Sequence, residues 1–261
     1  MRSLIAIPLT AFLAASVSTT ALLAQAPGGQ APQGRGNQPP PPPMTNLQIF
    51  PKDATRPQVV TVMQGFTQAL GVRCQYCHVD DDPGRQNDMA SDEKPPKKAA
   101  RQMMLLVRDL NEKLPSAVGK TADATTRVGC VTCHRGVAIP KQLADILTDT
   151  AAAKGVPAAI EQYRDLRKQY YGAMAYDFSE GGLLVLAQRL VANNRPDDAL
   201  SFLQLNTEFY PKSARTYVAM SQAYGRKNDK DNQIKSLEKA SELDPENQQI
   251  KGQLQRLKSG D

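Results

Sequence analysis

The chain has no tryptophan, and aromatic residues make up only 5% of its 261 positions. A chain of this length can bury a sizeable core. Large aromatic side chains will supply little of it, which leaves room for a bulky bound group to contribute apolar mass. Histidine is limited to two residues and cysteine to four. The net charge of +6 is not gathered into a basic block, and no zinc-finger or RNA-binding signature accompanies it, so nucleic acid is set aside as a partner. No cysteine lies near the N-terminus, which argues against a lipid anchor there.

What is present starts with the pattern of an export signal. Arg2 gives a short positive start, Leu4 to Leu23 is mostly apolar, and Ala24-Gln25-Ala26 is a small-x-small cleavage pattern. Residues 1–26 are therefore expected to be a signal peptide and the mature protein periplasmic; left uncleaved, the same segment would hold the protein at the membrane. Residues 27–44 include five consecutive prolines, Pro39 to Pro43, and read as a polyproline-like, disordered spacer.

After the spacer every periodic segment has helical spacing, so an all-α fold is expected. In residues 45–140, Val60, Met63, Thr67 and Leu70 share a helix face that stops at Gly71, and Ala100, Met103, Met104, Val107 and Leu110 repeat the pattern over 99–110. Polar loops containing Pro83-Gly84 and Pro95-Pro96 separate these segments. Residues 141–155 read as a linker helix. In residues 156–261, Pro211 and Pro245 lie 34 residues apart, and the same offset pairs Leu186 with Met220, Leu190 with Tyr224 and Leu203 with Leu237. That is the tetratricopeptide period. Asn206 and Gln233 depart from it, standing where such repeats prefer alanine. Two units are few for a solenoid, so the helical segment 157–170 is expected to act as a cap.

The four cysteines and two histidines fall into two matching motifs, Cys74-Gln75-Tyr76-Cys77-His78 and Cys130-Val131-Thr132-Cys133-His134. This is the pattern of covalent c-type haem attachment. Two residues between the thiols let both sulfurs reach one porphyrin edge, and the adjacent histidine then meets the iron as proximal ligand. A four-thiolate zinc site would want about 15–20 residues between its pairs, whereas 52 separate Cys77 from Cys130. A thioredoxin-like pair would need a preceding strand, and structural disulfides would leave the repeated histidine unexplained. Two covalent haem c groups are therefore expected, on Cys74 and Cys77 with His78, and on Cys130 and Cys133 with His134.

With both histidines used, neither iron can have two histidine ligands from this chain. A methionine thioether is the strong sixth ligand that remains. Met63 precedes Cys74 by eleven residues, and Met103 or Met104 holds the corresponding place before Cys130.

The segments Val62-Met63, Leu70-Gly71-Val72-Arg73-Cys74, Met103 with Val107-Arg108-Asp109-Leu110-Asn111, and Cys130 to His134 followed by Arg135-Gly136 resemble the cytochrome c subunit of photosynthetic reaction centres, over about residues 45–140. The resemblance implies that Met63 is the sixth ligand of the first haem and that Met103, rather than Met104, serves the second. Typical members of that family carry four haems and a lipid-bearing N-terminal cysteine; this chain has two motifs and an appended repeat region.

The expectation is thus an all-α, two-haem cytochrome followed by a short tetratricopeptide-like solenoid, relaying single electrons between a redox donor and acceptor and catalysing no substrate reaction. One partner would sit in a membrane-bound complex, and the repeats would hold a protein partner. Two rival readings are a haem peroxidase or small-molecule reductase with an open iron position, and a repeat scaffold with accessory haems.

Overall fold

A helix begins where the chain can cap its own first turn, and the first helix among the described residues does so at Thr55. In the computed structural model, Gln58 Oε1 accepts from the Thr55 N–H at 2.8 Å, opening α1 (Arg56–Leu70). The helix ends as its sequence requires, at Gly71 with φ 66°. The structure describes residues 43–79 and 88–259. The expected signal peptide, nearly all of the proline-rich spacer and the Pro83-Gly84 loop lie outside the described residues.

The second long helix, α2 (Pro95–Ala117), starts four residues earlier than its periodicity suggests. Pro95 and Pro96 had read as loop, yet proline is well suited to a first turn, where its missing N–H has no intrahelical partner to lose. Cys74–Tyr76 forms a single 3₁₀ turn, and Cys130–His134 forms the short α3. Among the described residues the sole extended pairing is an isolated bridge between Val79 and Asp88.

Helices α4 (Leu143–Lys154), α5 (Val156–Tyr170), α6 (Glu180–Ala192), α7 (Pro196–Phe209), α8 (Ala214–Arg226), α9 (Lys230–Leu243) and α10 (Gln248–Ser259) follow. They pack as successive pairs, α4 with α5, α6 with α7 and α8 with α9, with α10 against α9. Leu143, Leu147 and Ala151 of α4 join the same buried core as Tyr163, Leu183, Phe202 and Leu203. The segment read as a linker helix is therefore helical, and it also supplies the partner of the expected cap helix. Asn206 is fully buried because its amide donates to Thr216 Oγ1 at 2.9 Å and to the Glu180 carbonyl at 3.2 Å, ties that alanine could not make. No helix among the described residues is long and apolar enough to cross a membrane.

The burial pattern changes along the chain. Nearly all large buried apolar side chains belong to α4–α10, whereas the described residues of 44–140 bury only Val59, Ala69, Val79 and Val137 among their hydrophobic residues. The 23-residue α2 buries a single residue, and that residue is Lys97.

Candidate functional site

At a spacing of i, i+3 and i+4, two cysteines and a histidine share one face of a tight helical turn. Both motifs adopt such a turn. In the first, Cys77 N–H and His78 N–H donate to the Cys74 carbonyl at 3.1 and 2.9 Å. In the second, the Thr132 hydroxyl accepts from Gly129 N–H at 3.0 Å and caps α3. Arg135 (φ 50°) and Gly136 (φ 89°) then turn the chain away. None of the four cysteines is in a disulfide. Cys74 and Cys133 are exposed, Cys77 and Cys130 half-buried.

The histidines are oriented alike. His78 Nδ1 lies 2.9 Å from the Met89 carbonyl oxygen, and His134 Nδ1 lies 3.0 Å from that of Val137. A carbonyl oxygen only accepts, so Nδ1 carries the proton in both rings and the lone pair is on Nε2. This is the tautomer of a metal-bound histidine whose other nitrogen is anchored by backbone.

Three contacts that the sequence did not announce hold the two motifs. Gly136 N–H donates to the Ala69 carbonyl at 2.8 Å, docking the turn after the second motif on the end of α1. A Cβ placed on Gly71 would lie 2.1 Å from the Gly136 carbonyl oxygen, so the close approach needs glycine. Asn111 on α2 clamps the strand of chain leading into Cys130: its Oδ1 accepts from Val128 N–H at 2.7 Å, and its Nδ2 donates to the Val128 carbonyl at 2.8 Å.

The third contact surrounds His78. Lys97 Nζ donates to the Met89 carbonyl at 2.9 Å and to the Ser91 carbonyl at 2.7 Å, and it lies 3.4 Å from Asp92. Asp92 also binds Arg101 at 2.8 Å and accepts from Asn46 at 3.0 Å. The Arg101 guanidinium, with Asn46 and Lys97, holds the Asp92 carboxyl well below the usual carboxylate range. Lys94 donates to the Gln75 carbonyl inside the first motif. Burial pushes the Cys77 thiol up, while the Lys94 and Lys97 ammonium groups pull it the other way.

The candidate sixth ligands sit on two helix faces. Met63 is half-buried on α1, on the face that carries Val59 and Phe66. On α2, Lys97, Met104 and Asn111 fall seven residues apart, along the line that the loop contacts hold. Met103 lies about 100° round from Met104, on the side with Leu110, and the two are 43% and 41% exposed. Leu106 on the same helix, Val60 and Val62 on α1, and Tyr76 and Val131 inside the two motifs are exposed apolar side chains as well. A haem needs two thiols on one edge, an imidazole with its lone pair on Nε2, and apolar walls; the residues present fit that group. Among the described residues no cluster of three or more His, Cys, Asp or Glu could hold a bare metal ion.

Residues 44–195, more than half of the chain, match the family described as photosynthetic reaction centre cytochrome C subunit, and residues 214–247 match the tetratricopeptide repeat. The first match continues past the haem-motif region through α4–α6. A cytochrome c-554 of Chloroflexus aurantiacus is 45% identical over 82 residues, 30% of this chain and 17% of the relative. A photosynthetic reaction center cytochrome c subunit of Rubrivivax gelatinosus is 31% identical over 106 residues, 38% of this chain and 28% of the relative. Each match thus spans less than a third of the relative's length. With the family match covering residues 44–195, the chain belongs to the photosynthetic reaction centre cytochrome c subunit family.

Proposed function

We propose that this protein is a periplasmic dihaem c-type cytochrome that relays single electrons between redox partners and transforms no substrate. One observation carries the reading: two Cys-x-x-Cys-His turns each have their histidine Nδ1 tied to a backbone carbonyl, and α1 and α2, which precede them in the chain, carry exposed apolar side chains. The names of the two relatives support electron relay. Each covalent haem c, once attached, supplies a one-electron iron couple.

Cys74 and Cys77 hold one haem by thioether bonds, with His78 as proximal ligand and Met63 as sixth ligand. Cys130 and Cys133 hold the other, with His134 proximal. Met103 is the sixth ligand there, as the family resemblance implies, with Met104, on the Lys97–Asn111 line, as the alternative. Thioether ligation favours the reduced iron and raises the potential. The haem-bearing part, residues 45–140, and the repeat helices act as two modules. The haem-bearing part meets a redox donor and acceptor, one of them in a membrane-bound complex, and the repeats hold a protein partner.

The test is the visible spectrum of the reduced protein with and without carbon monoxide. Two methionine-closed irons leave the spectrum unchanged; a carbon monoxide shift at either haem would make the protein a haem enzyme with an open position.

A further inference from the structure

Lys97 is the one residue of α2 that is buried, at 8% exposure, and the sequence pattern gives it no role. Its ammonium shares an acceptor with a proximal histidine: the Met89 carbonyl receives His78 Nδ1–H at 2.9 Å and Lys97 Nζ at 2.9 Å. The bridge between Val79 and Asp88, closed by Asp88 N–H donating to the Val79 carbonyl at 3.0 Å, sets that carbonyl in place one residue later. The second motif differs. His134 Nδ1–H donates to the Val137 carbonyl, and among the described residues no lysine or arginine shares that acceptor.

The carbonyl that accepts from a ligating histidine controls how strongly the opposite nitrogen donates to the metal. A strong Nδ1–H bond makes the imidazole more basic, which favours oxidised iron. A cation on the same oxygen draws off its lone-pair density, weakens the Nδ1–H bond and favours reduced iron. The ammonium's own field acts in the same direction, at a site too buried for solvent to screen it fully.

We infer that Lys97 is a positioning residue for electron transfer: through the shared Met89 carbonyl it raises the reduction potential of the haem on Cys74 and Cys77, and leaves the haem on Cys130 and Cys133 untouched. This rests on the reading of His78 and His134 as proximal ligands. The Lys97 ammonium donates to two carbonyls beside Asp92. Asp92 offsets part of its charge but is itself divided between Lys97 and Arg101. Burial pulls the Lys97 ammonium below its ordinary pKa, and Asp92 and, more weakly, the exposed Asp88 oppose that shift.

The experiment is a redox titration of the mature, full-length protein and of Lys97→Met, Lys97→Arg and Asp92→Asn. Covalent haem at each motif is first established by mass spectrometry of its peptides. In Lys97→Met the first haem's oxidised-to-reduced ratio at a fixed potential should rise about tenfold, a shift of about 59 mV for one electron. Its His78 Nδ1–H proton resonance in the reduced state should move downfield as the hydrogen bond strengthens. Lys97→Arg should restore the potential, and Asp92→Asn, which leaves the ammonium less compensated, should shift it the opposite way. That last variant decides the matter if Lys97→Met fails to mature. A first haem present with its potential unmoved in these variants, or both haems shifted equally, overturns the inference alone. A wild-type protein with no haem on Cys74 and Cys77 overturns the underlying reading and the inference with it.

Discussion

Replacing Gly71 by alanine tests how the two Cys-x-x-Cys-His segments are joined. The new Cβ would lie 2.1 Å from the Gly136 carbonyl oxygen and 2.9 Å from its carbon, both of them backbone atoms that cannot swing aside. Gly71 also has φ 66°, a left-handed conformation that costs a side-chain-bearing residue roughly 1–2 kcal/mol. Relieving the clash means moving the Gly136 turn, and that breaks its 2.8 Å bond to the Ala69 carbonyl, a loss of about 0.5–1.5 kcal/mol. The expected cost is on the order of 3 kcal/mol once some overpacking strain is included. Gly119 provides the control, since its φ of 65° is the same but a Cβ there meets nothing within 4 Å. Gly119→Ala should therefore show the conformational cost alone. The assay is urea unfolding of the mature protein, followed at once by haem absorbance and far-ultraviolet circular dichroism. If Gly71→Ala is no more destabilising than Gly119→Ala, the docking of α1 on the Gly136 turn does not hold the segments together.

Three further outcomes are expected. Met63→Ala should remove the weak sulfur-to-iron absorption of one oxidised haem and lower that haem's potential, with both covalent attachments intact; unchanged spectra would make Met63 a packing residue. Asn111→Ala should cost about 2 kcal/mol through its lost bonds to Val107 and Val128 and loosen the second motif only, seen as broadening of that haem's signals by nuclear magnetic resonance. Asp92 has a folded pKa held below its unfolded value, so its stabilisation is present above the unfolded carboxyl's pKa of about 3.9 and is lost progressively as pH falls below that toward its folded value. An acid titration of the first haem's spectrum should then show a step below about pH 4 that Asp92→Asn removes; a step surviving in the variant would place its origin elsewhere.

The parts of this fold that were legible in the sequence are those fixed by local chemistry. The spacing of each Cys-x-x-Cys-His motif, the stop of α1 at Gly71 and the 34-residue repeat all follow from residues near one another in the chain. Pro95-Pro96 misled because a proline pair looks like a break, while position in the first turn makes it a start. Residues 141–155 read as a linker helix, but that reading could not say what Leu143, Leu147 and Ala151 pack against, since a linker and a core helix share one periodicity. Lys97 and Asn111 were illegible for a different reason. Their partners are backbone carbonyls and an N–H brought near by loops, and a backbone group carries no sequence signal. The one available hint was the seven-residue spacing of Lys97, Met104 and Asn111 along α2.

The central claim is that all four cysteines of this chain serve covalent haem attachment. Mass spectrometry of the denatured mature protein tests it most directly, because thioether bonds survive unfolding. The account predicts a mass increased by two haems, with haem-bearing peptides containing Cys74 with Cys77 and Cys130 with Cys133; a chain whose four thiols remain free to alkylate, or one that releases zinc on unfolding, would contradict it.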